Sequence, residues 1–216
     1  MKELSITEKY SLFMIKENKK IDMSTFSPYF TVSILMEMVL DGIISVDEKN
    51  KISINSKKVK DGYKKIMLDI INEKNNKSLT IKKLVSNLYG IINNSKIKPI
   101  KDALVKSLIE KDSTKKATKK ILFFNKEILI VNEEVFENVV EEIRSEFLEK
   151  GNITDEMIIL STLLNETRNI NKIFSTYEKS QMKERLKEIK KTDLSKKVQI
   201  AKQVIDEMTT LMMVGD

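Results

Sequence analysis

PYFTVSILMEMVLDGIISVDEKNKISI, residues 28–54, joins an apolar helix to a short hairpin. Ser27 before Pro28 marks the helix start, because proline presets the first helical φ and gives up an N–H that has no partner within the helix at that position. From Tyr29 to Leu40 the only charged residue is Glu37, so the helix is apolar nearly all round and belongs at the centre of a core. Gly42 stops it. Ile43 to Val46 and Lys51 to Ile54 then flank the polar turn Asp47-Glu48-Lys49-Asn50 as a small alternating hairpin. Carried into that interior, Glu37 must be paired, and a Lys or Arg partner is expected rather than catalysis. Met36 and Met38 on the same helix, and Met212 and Met213 near the other end of the chain, read as core filling rather than as a peptide groove.

The same reading extends in both directions. Ser5-Ile6-Thr7-Glu8 is a capping box that opens a helix to about Lys16, with Ile6, Tyr10, Phe13 and Met14 as its buried stripe. Downstream, helices are predicted over about Asp61 to Glu73 and Thr80 to Asn93, and a third begins at Pro99 and ends in SLIEKD at Asp112. A second hairpin follows, ILFFNKEILIV, turning near Asn125-Lys126. Asn132 with Glu133 and Glu134 caps a helix to about Lys150, Thr154 opens another to about Asn165, and two amphipathic helices, Glu178 to Lys190 and Leu194 to Met213, close the sequence. The expected class is all-α with two short β-hairpins. With 216 residues, no linker and no repeat, one domain spanning 1–216 is expected.

Composition removes most chemistry. The chain has no Cys and no His, which excludes disulfides, thiolate nucleophiles, histidine triads and ordinary zinc sites. Neither a metal nor a cofactor is expected. Five Gly and two Pro argue against sandwiches, barrels and glycine-rich phosphate loops. MKELSITEKY has no apolar segment of the secretory kind, and no run approaches the ~18 apolar residues of a spanning helix. A cytoplasmic protein is expected. The glutamates could in principle do acid–base work, but Glu141 and Glu142 read as a solvated helix face.

The net charge of +7 is localised. Between Ile91 and Lys126, ten lysines stand against Asp102, Glu110 and Asp112, while the rest of the chain is neutral. A basic block on a neutral body fits a phosphate-bearing partner, either nucleic acid or an anionic membrane surface. Lys115, Lys116, Lys119, Lys120 and Lys126 form the patch around the second hairpin. Lys98 and Lys101, three apart at the start of the Pro99 helix, read either as a phosphate seat or as two solvated lysines. The hairpin, with Leu122, Phe123, Phe124 and Ile128, is apolar on both faces, and a ribbon packed on a helical body covers only one. Burial under a further helix, a contact with a second copy of the chain, and insertion into lipid all satisfy that pattern.

LSITEKYSLFMI (4–15), ILMEMVLDGIISVDEKNKISI (34–54), SLIEKD (107–112) with the basic turn after it, and ILFFNKEILIV (121–131) together resemble the Golgi phosphoprotein 3 family over nearly the whole chain. The resemblance implies a mostly helical domain that binds phosphatidylinositol 4-phosphate on cytosolic membrane surfaces and pushes a hydrophobic hairpin into the bilayer. In eukaryotic members it also implies sorting of glycosyltransferases through their cytosolic tails. Lys98 and Lys101 fall where the family has two phosphate-contacting arginines, and Thr31 falls on a third. The family's tryptophan has no counterpart, and Phe26 or Tyr29 is the candidate aromatic wall. By the resemblance, a compact form like that of prokaryotic relatives is expected, without the basic N-terminal tail of eukaryotic members.

A non-enzymatic peripheral membrane protein is therefore expected, on the cytosolic face of a membrane, with anionic phospholipid as its partner. The alternative is a nucleic-acid-binding protein with winged-helix-like modules. That alternative is disfavoured, because the hairpin is greasy and the recognition helix would be the apolar Tyr29–Asp41 segment.

Overall fold

The computed structural model describes residues 2–18, 28–60, 62–74, 79–89, 94–121, 124–149, 151–189 and 196–213. The elements follow the expected order. They are α1 (Ile6–Asn18), α2 (Pro28–Leu40), β1 (Ile44–Val46), β2 (Ile52–Ile54), α3 (Gly62–Lys74), α4 (Ile81–Tyr89), α5 (Asn94–Glu110), β3 (Thr114–Ile121), β4 (Phe124–Val131), α6 (Glu133–Leu148), α7 (Asp155–Glu166), α8 (Thr176–Ile189) and α9 (Lys196–Met213). A 3-10 turn, Asn169–Lys172, joins α7 to α8. Each hairpin is its own two-stranded antiparallel sheet. Among the described residues no helix is long and apolar enough to cross a membrane.

Helix α2 is the hub. Every residue from Tyr29 to Val39 is buried, and α1, α3, α4, α7, α9 and β1 all pack on it. This is the consequence of an apolar surface running round the whole helix. Its end is a Schellman closure: Ile43 N–H donates to the Met38 carbonyl at 2.9 Å and Gly42 N–H to that of Val39 at 3.1 Å. Gly42 has φ +69°, where a side chain would be strained. Helix α5 closes in the same way, with Ser113 N–H on Leu108 and Asp112 N–H on Ile109. There Asp112 takes the left-handed position.

The capping box at Ser5 forms as expected, with Ser5 N–H donating to Glu8 Oε2 at 2.9 Å and Glu8 N–H to Ser5 Oγ at 3.4 Å. Asn132 and Thr154 cap α6 and α7 through their side-chain oxygens. The cap of α8, a reciprocal Ser175–Glu178 box, was not read from the sequence.

Two expectations are corrected. Pro99 lies inside α5, which begins at Asn94. Ile97, Ile100, Leu104 and Leu108 are all fully buried and make one apolar stripe through the proline, so burial of that stripe outweighs the missing N–H. The second hairpin is also longer than expected, and its turn is displaced. Thr114 pairs with Val131 and every following pair is in register out to Ile121 with Phe124. The basic stretch is thus a strand, not a turn. Leu122 and Phe123 link the two strands and lie outside the described residues. So does Phe26.

Candidate functional site: a lysine-bearing ribbon beside α5

Cross-strand partners share a face, so the register sorts the ribbon's side chains. One face carries Thr114, Lys116, Thr118 and Lys120 opposite Val131, Leu129, Glu127 and Asn125. The other carries Lys115, Ala117 and Lys119 opposite Ile130, Ile128 and Lys126. Among the described residues, the buried ones lie at the ribbon's base. Thr114, Leu129 and Val131 are buried, with β4 against α1 and β3 against α5, while Ala117, Ile128 and Ile130 are half-buried. Farther out, residues 118–120 and 125–127 are exposed on both faces. Eight residues at ~3.3 Å each make a strand ~26 Å long, and the described side chains of its outer half are open to solvent.

The charges on that half are unusual for a ribbon. Lys119 lies directly opposite Lys126, a like-charge pair that destabilises a ladder. Lys116 is held by Glu127 at 3.0 Å. Lys98, Lys115, Lys119, Lys120 and Lys126 form no ion pair among the described residues.

Between the ribbon and α5 runs an open groove of 790 Å³, lined on α5 from Lys101 to Glu110 and on β4 from Leu129 to Lys126. The ribbon follows α5 after three intervening residues yet shares this groove with Lys101, so it runs back along α5 toward the helix's N-terminal half. Val105, Ile109, Ile128 and Leu129 supply the apolar lining, and Lys101, Lys106, Lys116 and Lys126 outnumber Asp102, Glu110 and Glu127. Several of these charges are internally matched: Lys106 is 3.7 Å from Glu110 and Lys101 is 3.9 Å from Asp102.

The expected headgroup residues are placed differently. Lys101 joins the ribbon lysines, and Lys98 is exposed one turn before it. Because α5 begins at Asn94, neither occupies the first turn, and the unpaired amides and dipole proposed to assist them lie upstream. Thr31 is corrected outright. It is fully buried, and its hydroxyl shares a 3.2 Å hydrogen bond with the Tyr89 hydroxyl, so it presents no surface to a headgroup. Tyr29, the other aromatic candidate, is buried with its hydroxyl 2.9 Å from Thr209 Oγ1. For Phe124 only the backbone is described. The burial of α2 also removes the winged-helix reading, since its proposed recognition helix faces no solvent.

The carboxylates considered from the sequence are held in ion pairs and hydrogen bonds. Glu37 accepts from the Tyr63 hydroxyl at 2.9 Å, pairs with Lys64 at 2.9 Å and takes the Thr7 N–H at 3.3 Å, the pairing expected of a buried charge. Burial and the Glu37 charge both push the Tyr63 hydroxyl far above its usual range. Glu8, equally buried, accepts from Ser107 Oγ at 2.6 Å and from Lys111 Nζ at 2.7 Å. Glu141 binds Arg144 at 2.6 Å. Glu142 does more than face solvent: it holds the buried Lys9 at 2.6 Å, which Glu156 also approaches at 3.1 Å. Nothing in the sequence signalled Lys9 beyond its place on the apolar α1. Among the described residues no cluster suited to a metal ion occurs.

The described residues build a mostly helical body bearing a lysine-rich two-stranded ribbon. The model of the Golgi phosphoprotein 3 (GPP34) family matches residues 18–208, and the chain belongs to that family. Comparison with curated proteins finds no match.

Proposed function

We propose that this chain is a non-enzymatic peripheral membrane protein that binds anionic phospholipid at the cytosolic face of a membrane. The ribbon lysines and Lys98 and Lys101 meet lipid phosphates, of the phosphatidylinositol 4-phosphate kind among others, while Leu122, Phe123 and Phe124 enter the hydrocarbon. The observation that carries this reading is the ribbon's outer half, exposed on both faces, bearing Lys119 opposite Lys126. An isolated ribbon gains nothing from facing two ammonium groups at each other, but an anionic surface neutralises both. Family membership supports the same direction.

The magnitudes are adequate. Each basic side chain at an anionic bilayer contributes ~1 kcal/mol and each buried large apolar side chain ~1.5–3 kcal/mol. Three ribbon lysines with two tip side chains reach ~6–9 kcal/mol before ordering costs, which gives reversible binding through two signals. Lysine is a point charge without arginine's planar fork, so selection by charge density is expected over recognition of one inositide. Cytosolic tails of membrane proteins and a second copy of the chain remain secondary partners in this reading.

Sedimentation with vesicles tests it. The chain is expected to pellet with vesicles containing phosphatidylserine or phosphatidylinositol 4-phosphate at matched charge, and not with neutral phosphatidylcholine. Lys119→Gln with Lys120→Gln and Lys126→Gln, or Leu122→Ser with Phe123→Ser, should each release it. Equal pelleting with neutral and anionic vesicles, or none with either, overturns the proposal.

A further inference from the structure

A second basic surface lies at the corner between α3 and α4, outside the basic block. An open groove of 520 Å³ there is lined by Lys74, Lys82 and Lys83 with Thr80, Ser86 and Asn87 as hydrogen-bonding neighbours, and no carboxylate is among its described lining residues. The nearest acid in sequence, Glu73, is engaged by Lys96 of α5 at 3.1 Å. All three lysines are exposed.

The location gives this corner its meaning. Helices α3 and α5 pack antiparallel, because Gly62 approaches Ala103 at one end and Glu73 meets Lys96 at the other. Lys74 is therefore at the N-terminal end of α5, with Lys98. The ribbon runs back along α5 toward that same end, bringing Lys126 to the groove that holds Lys101. The corner thus lies beside the N-terminal end of α5, and Lys126 lies in the groove with Lys101, on separate elements.

We infer that the α3–α4 corner, through Lys74, Lys82 and Lys83, is a second contact with anionic lipid headgroups that fixes how the domain is oriented on the bilayer. The inference rests on the membrane reading above. A ribbon alone leaves the body free to tilt about it, whereas a second cationic contact holds it in one pose. Occupancy by lipid is favoured by complementarity: the corner offers several ammonium groups and hydroxyl or amide donors over an open surface, which suits many phosphates in a plane.

The test compares the whole chain with Lys74→Gln/Lys82→Gln/Lys83→Gln, with the corresponding triple Arg variant, and with Lys179→Gln/Lys183→Gln/Lys187→Gln on α8, which removes equal charge elsewhere. Binding to vesicles of phosphatidylcholine with phosphatidylserine is measured at 0.15 M salt. The corner Gln variant should bind about tenfold or more weakly, with the Arg and α8 variants near the unaltered chain and all melting temperatures unchanged. Equal binding by the corner Gln variant, or an equal loss in the α8 variant, overturns the inference while leaving the ribbon reading intact. If the unaltered chain does not bind these vesicles, the membrane reading fails and this inference with it.

Discussion

Glu37 is the one charge on the central helix, and its surroundings are built to hold it. The carboxylate meets a hydroxyl, an ammonium and a backbone N–H, so its lost hydration is replaced on every side. Lys64 is shared with Asp41 at 3.0 Å, which ties the start of α3 to the end of α2. Replacing Glu37 by Gln presents an amide donor to groups that are themselves donors and takes the buried carboxylate away from the half-buried Lys64 ammonium. Removing one member of such a pair should lower stability by about 2 kcal/mol. Urea unfolding should report it as a lower midpoint at unchanged slope. Lys64→Gln combined with Glu37→Gln should recover part of the loss, since both charges then leave together. A loss below about 0.5 kcal/mol for Glu37→Gln alone would mean that the pair is not supporting the fold.

At the scale of elements, what the sequence reveals depends on whether the signal is local. Helix order was legible from caps and stops, because Ser5, Gly42, Asn132 and Thr154 each act within four residues of themselves. The beginning of α5 was misread because proline's preference for a first turn is a local rule, whereas the stripe Ile97, Ile100, Leu104 and Leu108 is satisfied by burial against other helices. The ribbon was misread for the opposite reason. KKATKK has little intrinsic strand preference, and it is extended because β4 offers a ladder along its whole length. The polar Asn125-Lys126 then looked like the turn, although register places the reversal beside Ile121 and Phe124. Of the candidate site, the charge was legible and its arrangement was not. Lys101 and the ribbon lysines converge through tertiary packing, and Thr31 proved to be core. This arrangement sets stability against binding in one substitution. Lys126→Glu turns the like-charge pair with Lys119 into an attractive one, which should stabilise the ribbon by roughly 0.2–1 kcal/mol, while removing about 1 kcal/mol of attraction per lost lysine from an anionic bilayer. A variant that melts no lower yet pellets less with anionic vesicles is expected. Unchanged pelleting would show that Lys126 does not meet the membrane.

Across the whole molecule, the interfaces are pinned by groups whose protons the fold retains. Lys9 links α1 to α6 and α7 through Glu142 and Glu156, and its ammonium is held above the ordinary 10.5 by those carboxylates despite the opposing effect of burial. Lys64 is likewise raised, with burial again opposing and Glu37 and Asp41 prevailing. Tyr63 and Tyr89 are pushed up chiefly by burial, and Tyr29 more modestly by the same cause. All five shifts have one sign for stability. Each group keeps its proton in the folded chain to a higher pH than in the unfolded chain, so the contribution is fully present below the unfolded values near 10.0 for tyrosine and 10.5 for lysine. Above those values it is progressively lost. These shifts should leave stability level between pH 7 and 9.5 and make it fall beyond about pH 10, with a slope on the order of 1.4 kcal/mol per pH unit for each proton the unfolded chain has released and the folded chain still holds. The buried tyrosines give the measurement its specificity. Their ionisation, followed by near-ultraviolet absorbance, should appear as one cooperative step that coincides with loss of helical circular dichroism. Gradual tyrosine ionisation at full helicity would instead mean that α2, α3, α4 and α9 part locally at these contacts, and that the hydroxyls of Tyr29, Tyr63 and Tyr89 do not lock the helices around the hub.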